Sequence, residues 1–300
     1  MPLADSVSPA WLLTGMGGIL GWGAATRPPE APAVLAARRR PLHWRRADAV
    51  ELELRSPGSL ARLVEEIRPA VVVHAACLSR AADCAADAAL TRRVNVEAVA
   101  ELAESAERAG SFVVYVSTEQ VFAGTAESYR ESDPPNSRDP YGASKAEAEA
   151  LVLAAGGAVA RLPLLLGPRV GPGRQGADTA TVEAVRSGGR PRLFVDEWRC
   201  PVAADEAAAG LWRLAETRRG GVVHLAGPEA VSRHELGRLA LEAAGLDPDA
   251  VDAGSVRDFT GPPRQPRLVL DCRRARDLLG WEPQDLRQSL ARLSGLPCVP

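Results

Sequence analysis

The chain has 300 residues, of which 46% are hydrophobic and 25% are charged, and its formal net charge is −2. This composition is typical of a globular protein and gives no basic field that would indicate nucleic-acid binding. The five cysteines form no CxxC pair and no metal-ligand spacing with histidine, and no apolar run is long enough to span a membrane. We therefore expect a cytoplasmic protein with reduced thiols, no metal, and neither membrane nor nucleic acid as partner.

Short apolar runs alternate with helical runs along the first half of the chain. Strands are predicted at 11–15, 32–38, 49–54, 70–76, 111–118 and 158–167, and helices at 56–69, 90–110 and 141–156. Ser56 and Pro57 are the candidate N-cap and first-turn proline of the first helix, and Gly110 is the candidate C-cap of the second. This alternation predicts an α/β fold of the Rossmann type, with a doubly wound parallel sheet that binds ligands at the carboxyl ends of its strands.

The pattern changes after residue 167. The stretch 167–179 is rich in glycine and proline and predicts a loop, whereas "GVVHLAG" (221–227) predicts one more strand. Ser232 and Glu235 are spaced for a capping box before a helix at 236–245. We therefore predict an NAD(P)-binding domain over 1–167 and a smaller, mainly helical substrate domain over 168–300, of which 199–227 returns to the Rossmann sheet.

A glycine turn follows the first strand directly. "TGMGGILG" places Gly15, Gly18 and Gly21 where a phosphate-bearing cofactor needs a tight turn, close backbone approach and free amides at a helix N-terminus. The first helical residues, Ile19 and Leu20, belong to the same candidate cofactor site. A flexible glycine-rich loop is the alternative, but the position after the first strand favours a dinucleotide site.

The end of the second strand indicates which nicotinamide cofactor is bound. An NAD enzyme often places an acidic residue there to bind the ribose 2′-hydroxyl, but this chain has "AARRRP", with Arg38 and Arg39. Arginine at this place would pair with a 2′-phosphate. We therefore expect NADPH, with NADH as the alternative if these arginines belong to a solvated loop.

Three side chains further along could reduce a ketone. Thr118 ends the fifth strand, and "DPYGASK" (139–145) puts Tyr141 and Lys145 on one face of a helix. Tyr141 would give a proton to the developing alkoxide, and Thr118 would hydrogen-bond the carbonyl oxygen. The positive Lys145 would lower the pKa of the tyrosine and hold the nicotinamide ribose.

The motifs together resemble the extended short-chain dehydrogenase/reductases. "TGMGGILG" is similar to the family's TGxxGxxG, "HAA" (74–76) to its strand end, "VN" (94–95) to its helix element and "YGASK" to YxxxK. The order of the motifs, with "STEQVF" and "RLVLDCRRARDLLGWEP", most resembles the dTDP-4-dehydrorhamnose reductase branch. This resemblance implies a nucleotide-sugar 4-ketoreductase, and it implies that Ala75, Ala76, Asn95 and Lys145 contact the cofactor.

Departures from the branch fall around the substrate. Glu119 and Gln120 replace its Asp-Tyr pair after the threonine, and Leu164 stands where its tryptophan contacts the sugar. We expect these three residues to contact the substrate and to alter its identity. His74 replaces an asparagine and is either a cofactor-side contact or a satisfied core residue.

The diphosphate of a nucleotide sugar would need basic residues from the C-terminal third. Arg264 and Arg267 in "PPRQPR" are our candidates because this segment resembles the family's Arg-Pro segment, and Arg174 is a further arginine in these loops. Solvated surface arginines are the alternative for each of them.

Three functions remain open at this point. The first is an NADPH-dependent 4-ketoreductase acting on a small-molecule nucleotide sugar, and the second is an NAD-dependent nucleotide-sugar epimerase. The third is a non-catalytic protein resembling the regulatory subunit of methionine adenosyltransferase. A dehydratase is disfavoured because the amide of Gln120 stands where that enzyme needs a base. A homodimer remains compatible with each function.

Overall fold

The computed structural model describes residues 10–37, 48–171, 174–261 and 264–296. The strands in these ranges are, in chain order, β1 (Trp11–Thr14), β2 (Ala33–Ala37), β3 (Asp48–Glu51), β4 (Val71–His74), β5 (Phe112–Thr118), β6 (Ala158–Leu162), β7 (Leu165–Leu166), β8 (Arg192–Phe194), β9 (Trp198–Arg199), β10 (Val202–Ala203), β11 (Gly221–His224), β12 (Val231–Ser232), β13 (Asp252–Gly254) and β14 (Arg267–Leu268). The α-helices are α1 (Ile19–Thr26), α2 (Ser59–Ile67), α3 (Ala81–Ala86), α4 (Ala88–Arg92), α5 (Ala98–Ala109), α6 (Pro140–Ala154), α7 (Ala177–Arg186), α8 (Ala204–Thr217), α9 (Arg233–Ala243), α10 (Arg273–Leu279) and α11 (Leu286–Ser294).

Seven strands form one parallel sheet in the order β11-β6-β5-β4-β1-β2-β3. The chain moves outward from β1 in one direction and then restarts at β4 on the other side. This reversal is the topological switch point at which doubly wound sheets bind their ligands. The predicted Rossmann-type fold is confirmed, and the strand predicted within 221–227 is β11.

Helices cover both faces of this sheet. The helices α1 and α8 pack on one face against side chains such as Leu13, Val73 and Val114. The helices α2, α5 and α6 pack on the other face, where Leu12 and Val72 lie. Because both faces are covered, β1 and β4 are buried along their whole length, which is why they read as unbroken apolar runs.

Local capping differs in part from the prediction. The helix α2 begins at Ser59 rather than at residue 56, because Gly58 is its N-cap with a φ of 72°. The helix predicted over 90–110 is interrupted by a π-helical turn at Arg93–Glu97, and Gly110 is its left-handed C-cap as predicted. Ser232 accepts a hydrogen bond from the backbone N–H of Glu235 at 3.0 Å, as a capping box requires.

The C-terminal part surrounds one end of the sheet with helices and very short strands. The helices α7, α9 and α11 share an apolar core that includes Ala177, Leu236 and Leu290. Small sheets made from β7–β10 and β12–β14 connect these helices. In the described part of the chain, no helix is long and apolar enough to cross a bilayer. The same residues include no group of three potential metal ligands.

Candidate active site

The glycine turn lets backbone segments approach more closely than any side chain would permit. Gly15 has a φ of 74°, and a Cβ there would lie 2.3 Å from the carbonyl carbon of Ala75. A Cβ on Gly21 would lie 1.9 Å from the carbonyl oxygen of Met16. Gly18, the N-cap of α1, faces open space and provides no side-chain capping bond. The helix therefore presents its first amides beside an open surface, which fits the phosphates of a dinucleotide.

His74 lies at the switch point, inside the sheet. Its Nδ1 lies 2.9 Å from the hydroxyl of Thr14, and the same hydroxyl accepts a 3.3 Å hydrogen bond from the backbone N–H of Ala76. Burial, helped by the charge of Lys145, lowers the pKa of His74 to about 3 and keeps the ring neutral. The structure therefore places His74 in the core, where it joins β1 to β4.

The residues of "DPYGASK" (139–145) start the helix α6 and position the tyrosine. The Asp139 side chain caps the helix by accepting a 2.9 Å hydrogen bond from the backbone N–H of Gly142, and Pro140 occupies the first turn. Tyr141 follows at once and is buried, with 7% of its surface exposed. It faces Thr118, the last residue of β5, as the resemblance implied.

Burial raises the pKa of Tyr141 well above its ordinary value of 10. The nearby Cys77 thiol acts in the same direction, whereas hydrogen bonding with the Thr118 side chain opposes it. This differs from the lowered pKa that we expected from Lys145. Tyr141 is therefore held in its protonated form, which is the form that a proton donor requires.

Lys145 is buried on the same face of α6, one turn after the tyrosine. Its Nζ donates a 2.7 Å hydrogen bond to the carbonyl oxygen of Val116 and lies 4.0 Å from the centroid of the Tyr115 ring. Burial lowers the pKa of Lys145, whereas the negative charge of Glu149 opposes that effect. The lysine is thus anchored to β5.

Asn95 lies in the π-helical turn, and its polar atoms are satisfied within the protein. Its Nδ2 donates to the carbonyl oxygen of Leu78 and to the hydroxyl of Ser144, both at 3.0 Å, and its Oδ1 accepts from the N–H of Leu78 at 2.8 Å. In this structure Asn95 therefore ties α6 to the loop after β4. That loop carries Cys77, whose position beside the tyrosine no sequence motif indicated.

A cavity of about 310 Å³ opens between this site and the C-terminal part. It is lined by Ala81, Ala82, Glu119, Gln120, Leu164, Glu197, Arg199, Arg233, Phe259, Arg264 and Gln265. The predicted substrate residues Glu119, Gln120, Leu164 and Arg264 therefore lie together, although they come from distant parts of the sequence. We name this space the charged cavity.

Ion pairs run along the wall of the charged cavity. The Arg199 guanidinium lies 3.0 Å from Oε1 of Glu119 and 2.9 Å from Oε1 of Glu197. Arg264 also pairs with Glu197 at 2.9 Å, and its guanidinium lies 5.6 Å from the centroid of the Phe259 ring. The Nη1 atom of Arg233 is buried and has no partner among the described residues. This wall can therefore present guanidinium groups to an anion.

No pattern in the sequence indicated a functional role for Glu197, Arg199 or Arg233. Arg199 lies outside the motifs that we quoted, and Arg233 lies inside the capping-box motif. The position of a charged residue at the start of a helix or strand does not indicate whether its side chain faces a cavity. Their grouping depends on how β9 and α9 pack, which the sequence pattern does not reveal.

Other predicted residues lie elsewhere or are not described. Arg267 does not line the charged cavity, because its Nε donates to the carbonyl oxygen of Glu127 at 2.8 Å and its guanidinium lies over Trp198. Arg174 instead reaches the glycine turn, where it donates to the carbonyl oxygen of Gly17 at 3.0 Å. The candidate 2′-phosphate ligands Arg38 and Arg39 fall outside the described residues.

The chain is similar to known proteins over most of its length. The chain matches the RmlD substrate binding domain family over residues 10–295. It is 30% identical to a dTDP-4-dehydrorhamnose reductase of Streptomyces griseus over 281 residues, which cover 88% of this chain and 86% of the relative. It is also 29% identical to methionine adenosyltransferase 2 subunit beta of Bos taurus over 237 residues, which cover 76% of this chain and 70% of the relative.

Solved structures with the same architecture include a hypothetical dTDP-4-dehydrorhamnose reductase from Sulfolobus tokodaii. Its TM-score is 0.80 and its identity 25%, with 92% of this chain and 98% of the other covered. A dTDP-glucose 4,6-dehydratase from Streptomyces venezuelae, solved with NAD, gives a TM-score of 0.79 and 25% identity, with 95% of each chain covered. These comparisons confirm the family expected from the motifs and support a nicotinamide cofactor.

Proposed function

Because the chain belongs to the RmlD substrate binding domain family, we propose that it is an NADPH-dependent reductase of a nucleotide-linked 4-keto-6-deoxysugar. The observation that carries this proposal is the pairing of Tyr141, at the start of α6, with Thr118, which ends β5 directly before Glu119 and Gln120 of the charged cavity. A bound NAD(P)H would supply the hydride to the C4 carbonyl. The side chains of this chain would supply the proton and the positions of the reactants.

Tyr141 is the proposed proton donor. Burial keeps its hydroxyl protonated, so that a proton is available when negative charge develops on the carbonyl oxygen. The Thr118 hydroxyl, at the carboxyl edge of the sheet, would share the stabilisation of that oxygen. Lys145 lies on the same face of α6 as Tyr141 and is anchored through the Val116 carbonyl.

The charged cavity is the proposed site for the nucleotide sugar. Its arginines suit a diphosphate, because a planar guanidinium binds phosphate oxygens in pairs. Arg264 is partly exposed at this wall, where a ligand can reach it. Leu164 lines the same space and offers an apolar contact to the sugar. The nucleotide sugar would thus lie between the Rossmann sheet and the C-terminal part, with its ketone towards Tyr141.

The choice of NADPH over NADH rests on Arg38 and Arg39 in the sequence. The solved neighbours include a reductase from Bacillus anthracis in complex with NADP and a dehydratase with NAD, so the fold accepts either cofactor. We also propose that the cofactor domain extends over 1–167 and that 168–300 binds the substrate, with 199–227 returning to the sheet. Cytoplasmic location follows as part of the same proposal, since NADPH and nucleotide sugars are available there.

A second candidate is a subunit that binds a dinucleotide without catalysis. The observation that favours it is the similarity to methionine adenosyltransferase 2 subunit beta over 76% of this chain. Such a protein would retain the glycine turn but would reduce no sugar. Isolation from its own cells in a stable complex with a methionine adenosyltransferase, without ketosugar reduction, would favour this candidate.

The decisive experiment follows NADPH oxidation with a panel of dTDP-, UDP- and GDP-linked 4-keto-6-deoxysugars. We expect one nucleotide series to be reduced by the wild type and reduced far more slowly by Tyr141→Phe. The corresponding nucleotide sugars with a C4 hydroxyl are also incubated with NAD and without a reductant, to detect epimerisation at C4. NADPH binding without turnover of any sugar would contradict the proposed reductase.

A further inference from the structure

Glu119 is an unusual residue for the wall of a substrate cavity. It follows Thr118 directly at the carboxyl end of β5, and only 3% of its surface is exposed. It nevertheless lines the charged cavity together with Gln120. A carboxyl group is thus buried in the cavity wall directly after Thr118, the residue that faces Tyr141.

The two oxygens of this carboxyl have different surroundings. Oε1 lies 3.0 Å from the Arg199 guanidinium, whereas Oε2 is buried and has no hydrogen-bond partner among the described residues. An ionised oxygen that is buried without a donor is costly, whereas a protonated oxygen becomes a donor itself. Because Arg199 donates to Oε1, the proton of a neutral Glu119 lies on Oε2.

The charges around Glu119 do not require it to be ionised. Arg199 is already paired with Glu197, and burial raises the pKa of Glu119 to about 8. Arg199 and Arg233 oppose this rise, and Glu197 reinforces it. Cys200, which also lies nearby, stays a neutral thiol because burial raises its pKa to about 11.

A neutral Glu119 also gives the charged cavity a net positive charge that balances the negative charge of its proposed ligand. The three guanidinium groups of Arg199, Arg233 and Arg264 then face one carboxylate, that of Glu197, which leaves two positive charges. The diphosphate of a nucleotide sugar carries two negative charges. An ionised Glu119 would remove one of these positive charges and place a carboxylate beside the sugar.

We propose that Glu119 binds substrate in its protonated form and donates a hydrogen bond from Oε2 to an oxygen of the sugar. Glu119 is then a specificity-determining residue that favours a sugar with an acceptor oxygen next to the reacting carbon. The identity of the ligand rests on the proposed function. The hydrogen bond is nevertheless testable with ligands that the enzyme does not reduce.

The test compares dTDP-glucose with dTDP, or UDP-glucose with UDP if the wild type prefers uridine. Calorimetry gives the dissociation constant of each at several values between about pH 7 and about pH 9.5. The ratio of the two constants reports the contribution of the sugar, and the same ratio in Glu119→Gln shows how much of its pH dependence comes from the additional charge on the terminal phosphate of the free diphosphate. The variants are Glu119→Gln, whose amide donates at every pH, and Glu119→Met, which cannot donate.

We expect the preference of the wild type for the sugar nucleotide to fall about tenfold over this range, as the donor is lost. Glu119→Gln keeps its preference at every pH, and Glu119→Met lacks it at every pH. A flat ratio in the wild type, or the same fall in Glu119→Gln, would overturn the proposal. Equal losses in Glu119→Gln and Glu119→Met would also overturn it, because the carboxylate rather than the donor would then matter.

The two proposals fail in different ways. A flat ratio in a protein that still reduces a ketosugar contradicts only the role of Glu119. If the ratio falls with pH as expected but the protein reduces no ketosugar, only the proposed reductase function is contradicted. A wild type that binds neither sugar nucleotide contradicts both.

Discussion

Lys145 donates a 2.7 Å hydrogen bond from Nζ to the carbonyl oxygen of Val116. This bond fastens the N-terminal part of the helix α6 to the C-terminal part of the strand β5. The start of the helix and the end of the strand are therefore positioned together. Tyr141 and Thr118 lie at that junction. The proposed proton donor is therefore held by packing between two elements, and its proton is retained because the hydroxyl is buried.

The first prediction concerns Tyr141→Phe. This change keeps the packing of the ring and removes the proton donor, so we expect kcat to fall by about 10²-fold or more. The affinity for NADPH, measured by fluorescence titration, should change little. Full activity in this variant would exclude Tyr141 as the donor.

The second prediction concerns the cofactor. Replacing Arg38 and Arg39 together by serine should raise KM for NADPH, because each lost charge-assisted contact costs about 1.5–3 kcal/mol. KM for NADH should stay nearly unchanged, since NADH has no 2′-phosphate. Equal changes for both cofactors would show that these arginines do not bind that group.

The third prediction uses two arginines from one segment. Arg264 lines the charged cavity, whereas Arg267 is directed to the Glu127 carbonyl and to Trp198. Arg264→Ala should raise KM for the nucleotide sugar about tenfold or more through the loss of a charged hydrogen bond. Arg267→Ala is the matched control and should stay within about twofold, because Arg267 does not line the charged cavity. Titration with the nucleoside diphosphate alone checks both, and the reverse ranking would contradict the placement of the cavity.

The fourth prediction concerns the buried ion pair below the site. Arg161 donates to Glu149 at 2.7 Å, and both side chains are only 2% exposed. Glu149→Gln leaves the guanidinium without its counter-charge, so we expect the free energy of unfolding to fall by about 3–5 kcal/mol. Arg190→Ala breaks the exposed pair with Asp252 and should cost below about 1 kcal/mol. Urea unfolding measures both variants, and similar losses would show that burial of the pair is unimportant.

The fifth prediction concerns acid stability. The pKa of His74 is lowered from 6.5 to about 3, so the unfolded chain binds a proton that the folded chain does not bind between these values. Stability should therefore fall as the pH drops through this window, by about 1.4 kcal/mol per pH unit for this residue. His224, which is also buried with a pKa near 3, contributes in the same direction.

His74→Asn removes one of these two contributions. The slope of the unfolding free energy against pH should become shallower by about 1.4 kcal/mol per pH unit, while His224 maintains the rest. Unfolding in urea at several acid pH values measures the slope. An unchanged slope would mean that His74 is not held neutral in the folded protein.

The local signals in the sequence were sufficient for the fold and for the relative positions of the proposed catalytic residues on α6. The glycine spacing at Gly15, Gly18 and Gly21 depends on contacts within one turn and its neighbouring strand, and Tyr141 and Lys145 are related by one helical turn. The unbroken apolar strands predicted a sheet covered on both faces. These features are local in sequence or periodic, and such patterns are visible before the chain folds.

The tertiary structure decided the substrate side and the ionisation of the site. Glu119, Arg199, Arg233 and Arg264 meet only because β5, β9, α9 and a C-terminal loop pack around one cavity. The same packing raised the pKa of Tyr141, where the sequence had led us to expect Lys145 to lower it. The burial of a side chain depends on the whole fold, and the spacing of two residues on a helix does not indicate it. Only the assembled structure could therefore show which side chains of the site are charged.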